Sequence, residues 1–301
     1  MTINARPTPA ASPLPGISAW VAMVGDKWPL LLGLLAMAIP TFARLGQQSW
    51  ATESGAHGPV VLATGLWLLS QQWTDMKQRA APAPLILLAA VALVALAVYA
   101  FGRAYDFISV ETIGLYMIFI ATAYRLFGWR ALWYNAFPFF YLLFMVPIPG
   151  YIIDKITGPL RTFVSYAATH LLTPLGYPIA REGVTLMVAQ YQLLVEDACS
   201  GMNSLIGLTA IGLFYVHVLH RSSLRYSIFL IAIIIPVAIF VNIIRVVVLI
   251  LLTYYFGDAV AQGFLHATTG IILFGLAVVI IFGIDQAARA FAAQIRKRAA
   301  A

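Results

Sequence analysis

Cysteine occurs once in the 301 residues of this chain. A single thiol excludes an intramolecular disulfide and any multi-cysteine metal site, and it leaves Cys199 as either a small buried side chain or a reactive group. Charge is scarce as well: Asp, Glu, Lys and Arg together make up 10% of the residues, with 11 acidic against 18 basic. So little charge cannot solvate the surface of a soluble domain of this size. The short alternating segments of an outer-membrane barrel are also missing. There is no internal repeat, no nucleic-acid signature and no second soluble domain. Residues 1–27, rich in Ala, Pro and Thr, lack both an apolar core and a signal-peptide cleavage pattern, and read as a mobile tail.

What the chain does have is apolar residues, at 62% of the total, with a mean hydropathy of +0.90. That composition defines an integral membrane protein. Apolar runs fall at about 28–43, 58–73, 84–101, 107–127, 131–149, 201–219, 226–254 and 263–284. Runs of roughly 17–25 residues cross a hydrocarbon core about 30 Å thick as helices, which satisfy their own backbone polar groups. The expected fold is therefore an all-α integral membrane protein of about eight transmembrane helices over residues 28–285. A basic tail, 286–301, follows it.

The positive charge sorts by loop. With the N-terminus inside, cytoplasmic segments hold Arg6, Lys27, Lys77, Arg79, Arg125, Arg130, Arg221, Arg225, Arg289, Arg296, Lys297 and Arg298. The other side holds Arg44, Arg103, Lys155, Arg161 and Arg181. This bias places both termini in the cytoplasm and Cys199 on the outer side.

One long connection, about 150–200, lies on that outer side. Ile152, Ile153, Ile156, Leu160, Phe163, Val164, Ala167 and Leu171 recur at helical spacing, as in an interfacial amphipathic helix that would contact membrane lipids. Thr173-Pro174 and Gly176-Tyr177-Pro178 break the pattern. Val184, Leu186 and Val188, then Tyr191, Leu193 and Val195, alternate about a tight turn at Ala189-Gln190, which predicts a small hairpin leading into Cys199.

The residues able to do chemistry are few. Ser200, Gly201, Asn203 and Ser204 follow Cys199 at the start of an apolar run. A helix N-terminus there favours thiolate over thiol, and the thiolate is the nucleophile. Glu196 and Asp197 act in the opposite direction, so a cation is needed nearby. Arg245, the one strong charge deep in IAIIIPVAIFVNIIRVVVLILLTYY, is a candidate. An intramembrane arginine either fixes packing through an ion pair or faces a functional cavity. Asn242 precedes it by three residues and shares its helix face. Counted from the cytoplasmic entry, Arg245 falls towards the outer surface. His266 opens the last run at that level, whereas His217 and His220 fall at the cytoplasmic end; His57 and His170 are on the outer side without a convergent set of polar residues. Thiol, guanidinium and imidazole together would suit acyl transfer: attack on a carbonyl, stabilisation of the oxyanion and proton exchange. One Cys and one His are too few ligands for a zinc site, and no metal or cofactor is expected.

At these positions the chain resembles the exosortase/archaeosortase family of polytopic membrane cysteine transpeptidases. The resemblance is carried by ACSG at Ala198–Gly201, NIIR at Asn242–Arg245 and the histidine of HATTG at His266–Gly270, in order, over roughly residues 30–285. It implies Cys199 as nucleophile, Arg245 as transition-state stabiliser and His266 as acid/base; Asn242 stands in the same motif, Ser200 and Gly201 are candidates for support or substrate binding, and Glu196 and Asp197 would hold Arg245, position His266 or recognise substrate. It also implies a place in the bacterial inner (cytoplasmic) membrane with the site on the periplasmic side. The implied partners are secreted proteins whose C-terminal signal combines a short motif, often containing Pro-Glu-Pro, with a transmembrane helix and a basic cluster. An acceptor molecule is the further implied partner. Two other classes stay open on the residues alone: a transporter in which Arg245 binds an anionic solute, and a non-catalytic scaffold for envelope assembly.

Overall fold

The computed structural model describes residues 28–52, 55–81, 84–194, 201–219, 224–257 and 264–300. They form α1 (Trp28–Gln48), α2 (Gly58–Gln78), α3 (Leu85–Ala104), α4 (Ile108–Tyr134), α5 (Ala136–Leu142), α6 (Gly150–Leu172), strands β1 (Ile179–Glu182), β2 (Thr185–Val188) and β3 (Tyr191–Leu194), then α7 (Gly201–Leu219), α8 (Leu224–Phe256) and α9 (Phe264–Ala300). The tail 1–27, expected to be mobile, lies outside the described residues. The basic residues expected as a tail beyond 285 continue α9 to Ala300.

Each predicted apolar run overlaps a helix, though 146–149 at the end of the fifth are not helical, and eight spans are not confirmed. Among the described residues four segments are long and apolar enough to cross a membrane: Trp28–Gln48, Ile108–Tyr134, Ile228–Phe256 and Gly275–Ile295. Leu88–Ala104, Ala136–Met145 and Ile206–Leu219 are apolar but shorter. Polar residues explain two of the shortfalls. α2 carries Gln71, Gln72, Asp75 and Lys77 in its second half. The run 131–149 is broken at Asn135, where φ is −109° and ψ 36°, and ends in a 3-10 turn at Leu143–Met145 ahead of Pro147 and Pro149.

The chain divides into two compact units, one of residues up to Ser49 with Pro59–Pro147, the other of Trp50–Gly58 with Ile148–Ala301. In the first unit, α3 and α4 pack backbone against backbone because glycine stands at the crossing. A Cβ on Gly102 would strike the backbone of Val110 and Glu111, and one on Gly114 would lie 2.5 Å from the Tyr99 nitrogen. Gly128 turns the chain inside α4, with φ 78°, which a residue with a Cβ adopts only under strain. This glycine occupies the gap between the fourth and fifth apolar runs.

Each end of this unit has its own polar tie. At one, Glu111 is fully buried and accepts hydrogen bonds from Thr41 at 2.7 Å, from Arg103 at 3.0 Å and from Arg44, which also pairs with Asp106. At the other, Arg79 Nε donates to both oxygens of Asp75, at 2.9 and 2.8 Å, and Asn135 donates to the same carboxylate at 3.0 Å. The Arg79 hydrogen bond holds the Asp75 carboxyl below its ordinary value. Arg44 and Arg103 therefore share an end opposite Arg79.

In the second unit the hairpin is present with the expected turn, and Ala189 there takes φ 52°. The sheet has one strand more than predicted. β1 pairs antiparallel with β2 through Ile179–Val188 and Glu182–Thr185, and β2 with β3 through Thr185–Leu194 and Val188–Tyr191. IARE gives no alternation to read, because most of this edge strand is exposed. The helix predicted over 152–171 is present as α6, but its buried stripe is Val164, Ala168 and Leu172. Phe163 and Leu171, on the same predicted apolar face, are 52% and 56% exposed. The apolar surface of α6 is wider than its contact, so only one flank is covered by protein.

Candidate functional site

Two cores meet on α8. Leu208 of α7, Ile234, Val237, Ala238 and Val241 of α8, and Leu273, Ala277 and Ile281 of α9 make one. Val164, Ala168 and Leu172 of α6, Leu186, Val188 and Leu193 of the sheet, and Val246, Leu249 and Ile250 of α8 make the other. Arg245 stands at the junction: Ile244 packs against the first core, and Val246 belongs to the second. It is 5% exposed, and Asn242, one turn earlier, is 7% exposed. A long guanidinium side chain held out of contact with lipid and water is not snorkelling to the membrane surface.

The register of the three helices follows from contacts far from Arg245. A Cβ on Gly212 of α7 would run into the Ile234 side chain of α8. Gly201 lies eleven residues before Gly212, and Arg245 eleven after Ile234. In an antiparallel pair those equal steps, about 16 Å each, bring the start of α7 level with Arg245. The second register point is Tyr226 of α8, whose hydroxyl donates to Asp285 of α9 at 2.6 Å. Arg245 lies nineteen residues after Tyr226, and His266 nineteen before Asp285. Gly201, Arg245 and the His266 backbone thus share one level along the bundle, to within about a helical turn.

The Asp285 cluster was not anticipated. Its carboxylate is fully buried and accepts from Tyr215 of α7 at 2.6 Å, from Tyr226 of α8 and from Arg289 at 2.6 Å. The sequence signal was an acidic residue four before Arg289, at salt-bridge spacing, but the two tyrosines come from other helices.

Cys199, Glu196, Asp197 and Ser200 lie outside the described residues, and of Gly201 and His266 only the backbone is described. Their flanks are described. β3 ends at Leu194 with Leu193 in the core beside Val246, and α7 begins at Gly201. The Tyr191 hydroxyl, at the other end of β3, would be 3.3 Å from a Cβ on Gly257, where the connection towards His266 starts. Of the histidines set aside earlier, His170 stays local: its Nδ1 is 3.0 Å from the Tyr166 carbonyl, and its ring stacks on Tyr166. His57 packs on α7. Among the described residues no three His, Cys, Asp or Glu side chains gather as a metal site requires.

Fold and sequence together define a helical membrane protein with a buried arginine level with two helix starts. A comparison with protein families matches the transmembrane exosortase model over residues 50–283. The chain belongs to that family. Neither the curated proteins nor the solved structures give a match.

Proposed function

We propose that this protein is a membrane cysteine transpeptidase or endopeptidase that processes the C-terminal sorting signal of secreted proteins on the outer face of the membrane. The observation that carries the reading is the shared level of the α7 start, buried Arg245 and the His266 position, in a chain of the exosortase family. Cys199 is the nucleophile. Its thiolate sulfur attacks the scissile carbonyl carbon, and the Arg245 guanidinium holds the oxyanion that forms. Collapse breaks the C–N bond, His266 gives its proton to the leaving amine, and the substrate's helical tail departs. Water or an acceptor nucleophile then loses a proton to His266 and attacks the thioester, and the C–S bond breaks to restore Cys199.

The support also extends to water exclusion. α6 and the sheet cover the part of α8 just beyond Arg245, and a dry site strengthens every electrostatic term within it. Glu196 and Asp197 precede Cys199 in the chain, and they serve to hold Arg245, to position His266 or to recognise the substrate.

The test is co-expression with a membrane protein carrying such a C-terminal signal. Cys199→Ala is expected to abolish release of the tail, and mass spectrometry of the wild type to find a peptide joined to Cys199 through a thioester. Tail release at the wild-type rate in Cys199→Ala would overturn the assignment and favour a solute transporter built around Arg245.

A further inference from the structure

The connection between α1 and α2 packs with the unit that holds Arg245, although its neighbours in sequence belong to the other unit. Its described residues, 50–52 and 55–58, form turns that lead into α2. The Gly55 N–H donates to the Thr52 carbonyl at 3.2 Å and the Gly58 N–H to the Gly55 carbonyl at 2.8 Å. The Trp50 indole fills the space beside Gly58 that a Cβ would take. From this segment His57 reaches α7. A Cβ on Gly207 would lie 3.1 Å from His57 Cβ, 3.5 Å from Cγ and 3.8 Å from Nδ1. Gly207 is buried, so α7 is bare of side chain where the imidazole lies against it.

The place of this contact gives it a consequence for Cys199. Gly207 is six residues, about 9 Å, along α7 from its first residue Gly201. The first turn of a helix lacks intrahelical partners for its N–H groups and frays unless something braces it. In the three-helix core the described contact of α7 nearest its start is Leu208. His57 on Gly207 is one residue closer to Cys199 and comes from a separate segment of chain.

We propose that Trp50–Gly58 is a positioning element of the cysteine site, with His57 as its contact residue: its side chain, packed on Gly207 through Cβ, Cγ and Nδ1, sets the first turns of α7 and so the aim of Cys199. The inference rests on the cysteine reading above. His57 acts through α7 and by the shape of its ring, so it takes no proton from the substrate. A misplacement of about 1 Å costs a catalyst up to roughly a hundredfold in rate, and contacts that only brace the fold do not change a thiol's reactivity.

Because the chain has one cysteine, the rate of alkylation by iodoacetamide in membranes reports Cys199 alone. His57→Ala is expected to change that rate and to lower kcat by about tenfold with KM little altered. His57→Phe keeps a flat ring and is expected to retain both close to wild type. Gly207→Ala pushes the ring away and is expected to match His57→Ala. The double variant should be no worse than either single one, since both remove the same contact. Unchanged alkylation and kcat in His57→Ala and Gly207→Ala would overturn the inference. So would a His57→Phe variant as impaired as His57→Ala, which would make the imidazole's chemistry the point instead of its shape. If His57→Ala fails to accumulate, His57→Phe and Gly207→Ala still decide. Processing that survives Cys199→Ala would remove the cysteine mechanism, whereas the alkylation series would still measure the brace.

Discussion

Tyr226 donates a 2.6 Å hydrogen bond to the buried carboxylate of Asp285, and the two residues lie the same number of positions from Arg245 and His266 on their respective helices. One polar contact at one end of α8 and α9 therefore sets which residues are level at the other. Tyr215 brings α7 to the same carboxylate. In an apolar surrounding, where helix packing lacks strong directional terms, such a tie selects one register among several.

Asp285→Ala is expected to remove that tie and leave Arg289, Tyr215 and Tyr226 without their shared acceptor. Hydrogen bonds between helices in membranes contribute about 1 kcal/mol each, so the triple loss should lower the thermal unfolding midpoint in detergent by several degrees. Signal processing should fall with it. Tyr226→Phe removes one donor and should lose less on both measures.

Glu111 is fully buried and receives Thr41 and two arginines. Glu111→Gln removes the charge that Arg103 pairs with and leaves Arg44 with Asp106 alone, a loss on the order of 3 kcal/mol for a buried pair. Denaturation in detergent should show it as a lower midpoint. The Cys199 alkylation rate in the protein that remains folded is expected to be unchanged.

Gly102→Val and Gly114→Val place side chains where the α3 and α4 backbones approach. Forced separation of a packed pair costs about 1–3 kcal/mol. Both variants should be less stable than Gly33→Val, because a Cβ at Gly33 meets nothing within 4 Å.

Arg245→Lys retains the charge but removes the planar fork. Its kcat is expected to fall at least about tenfold in the processing assay, with protein levels near wild type. Arg245→Leu should be inactive as well, even though an apolar residue is easily accommodated at that depth.

Asp75 titrates below its ordinary value of 3.8 because Arg79 and Asn135 favour its charged form. A carboxylate depressed in the folded state stabilises the fold above its ordinary range, and that contribution fades as pH falls through the folded value. Acid titration of unfolding from about pH 5 downward should therefore be steeper in the wild type than in Asp75→Asn.

Composition alone determined the class of this protein, since so many apolar residues and so little charge leave the membrane as the only solvent that fits. The α6 helix, the turn at Ala189-Gln190 and Arg245 as an isolated charge inside a helix were legible too, because periodicity, turn chemistry and a lone charge in an apolar run are local signals. Other features depend on partners distant in the chain, which local patterns do not encode. Asp285 looked like half of a surface pair with Arg289 until tyrosines from two other helices reached it. Phe163 and Leu171 lay on the apolar stripe of α6, but the neighbouring sheet and α8 cover only Val164, Ala168 and Leu172. His57 appeared isolated because Gly207, the surface it packs on, is 150 residues away and has no side chain to signal a contact. What the tertiary structure decided was register: helix lengths place a residue along its own axis, and only contacts between helices determine which residues stand opposite one another.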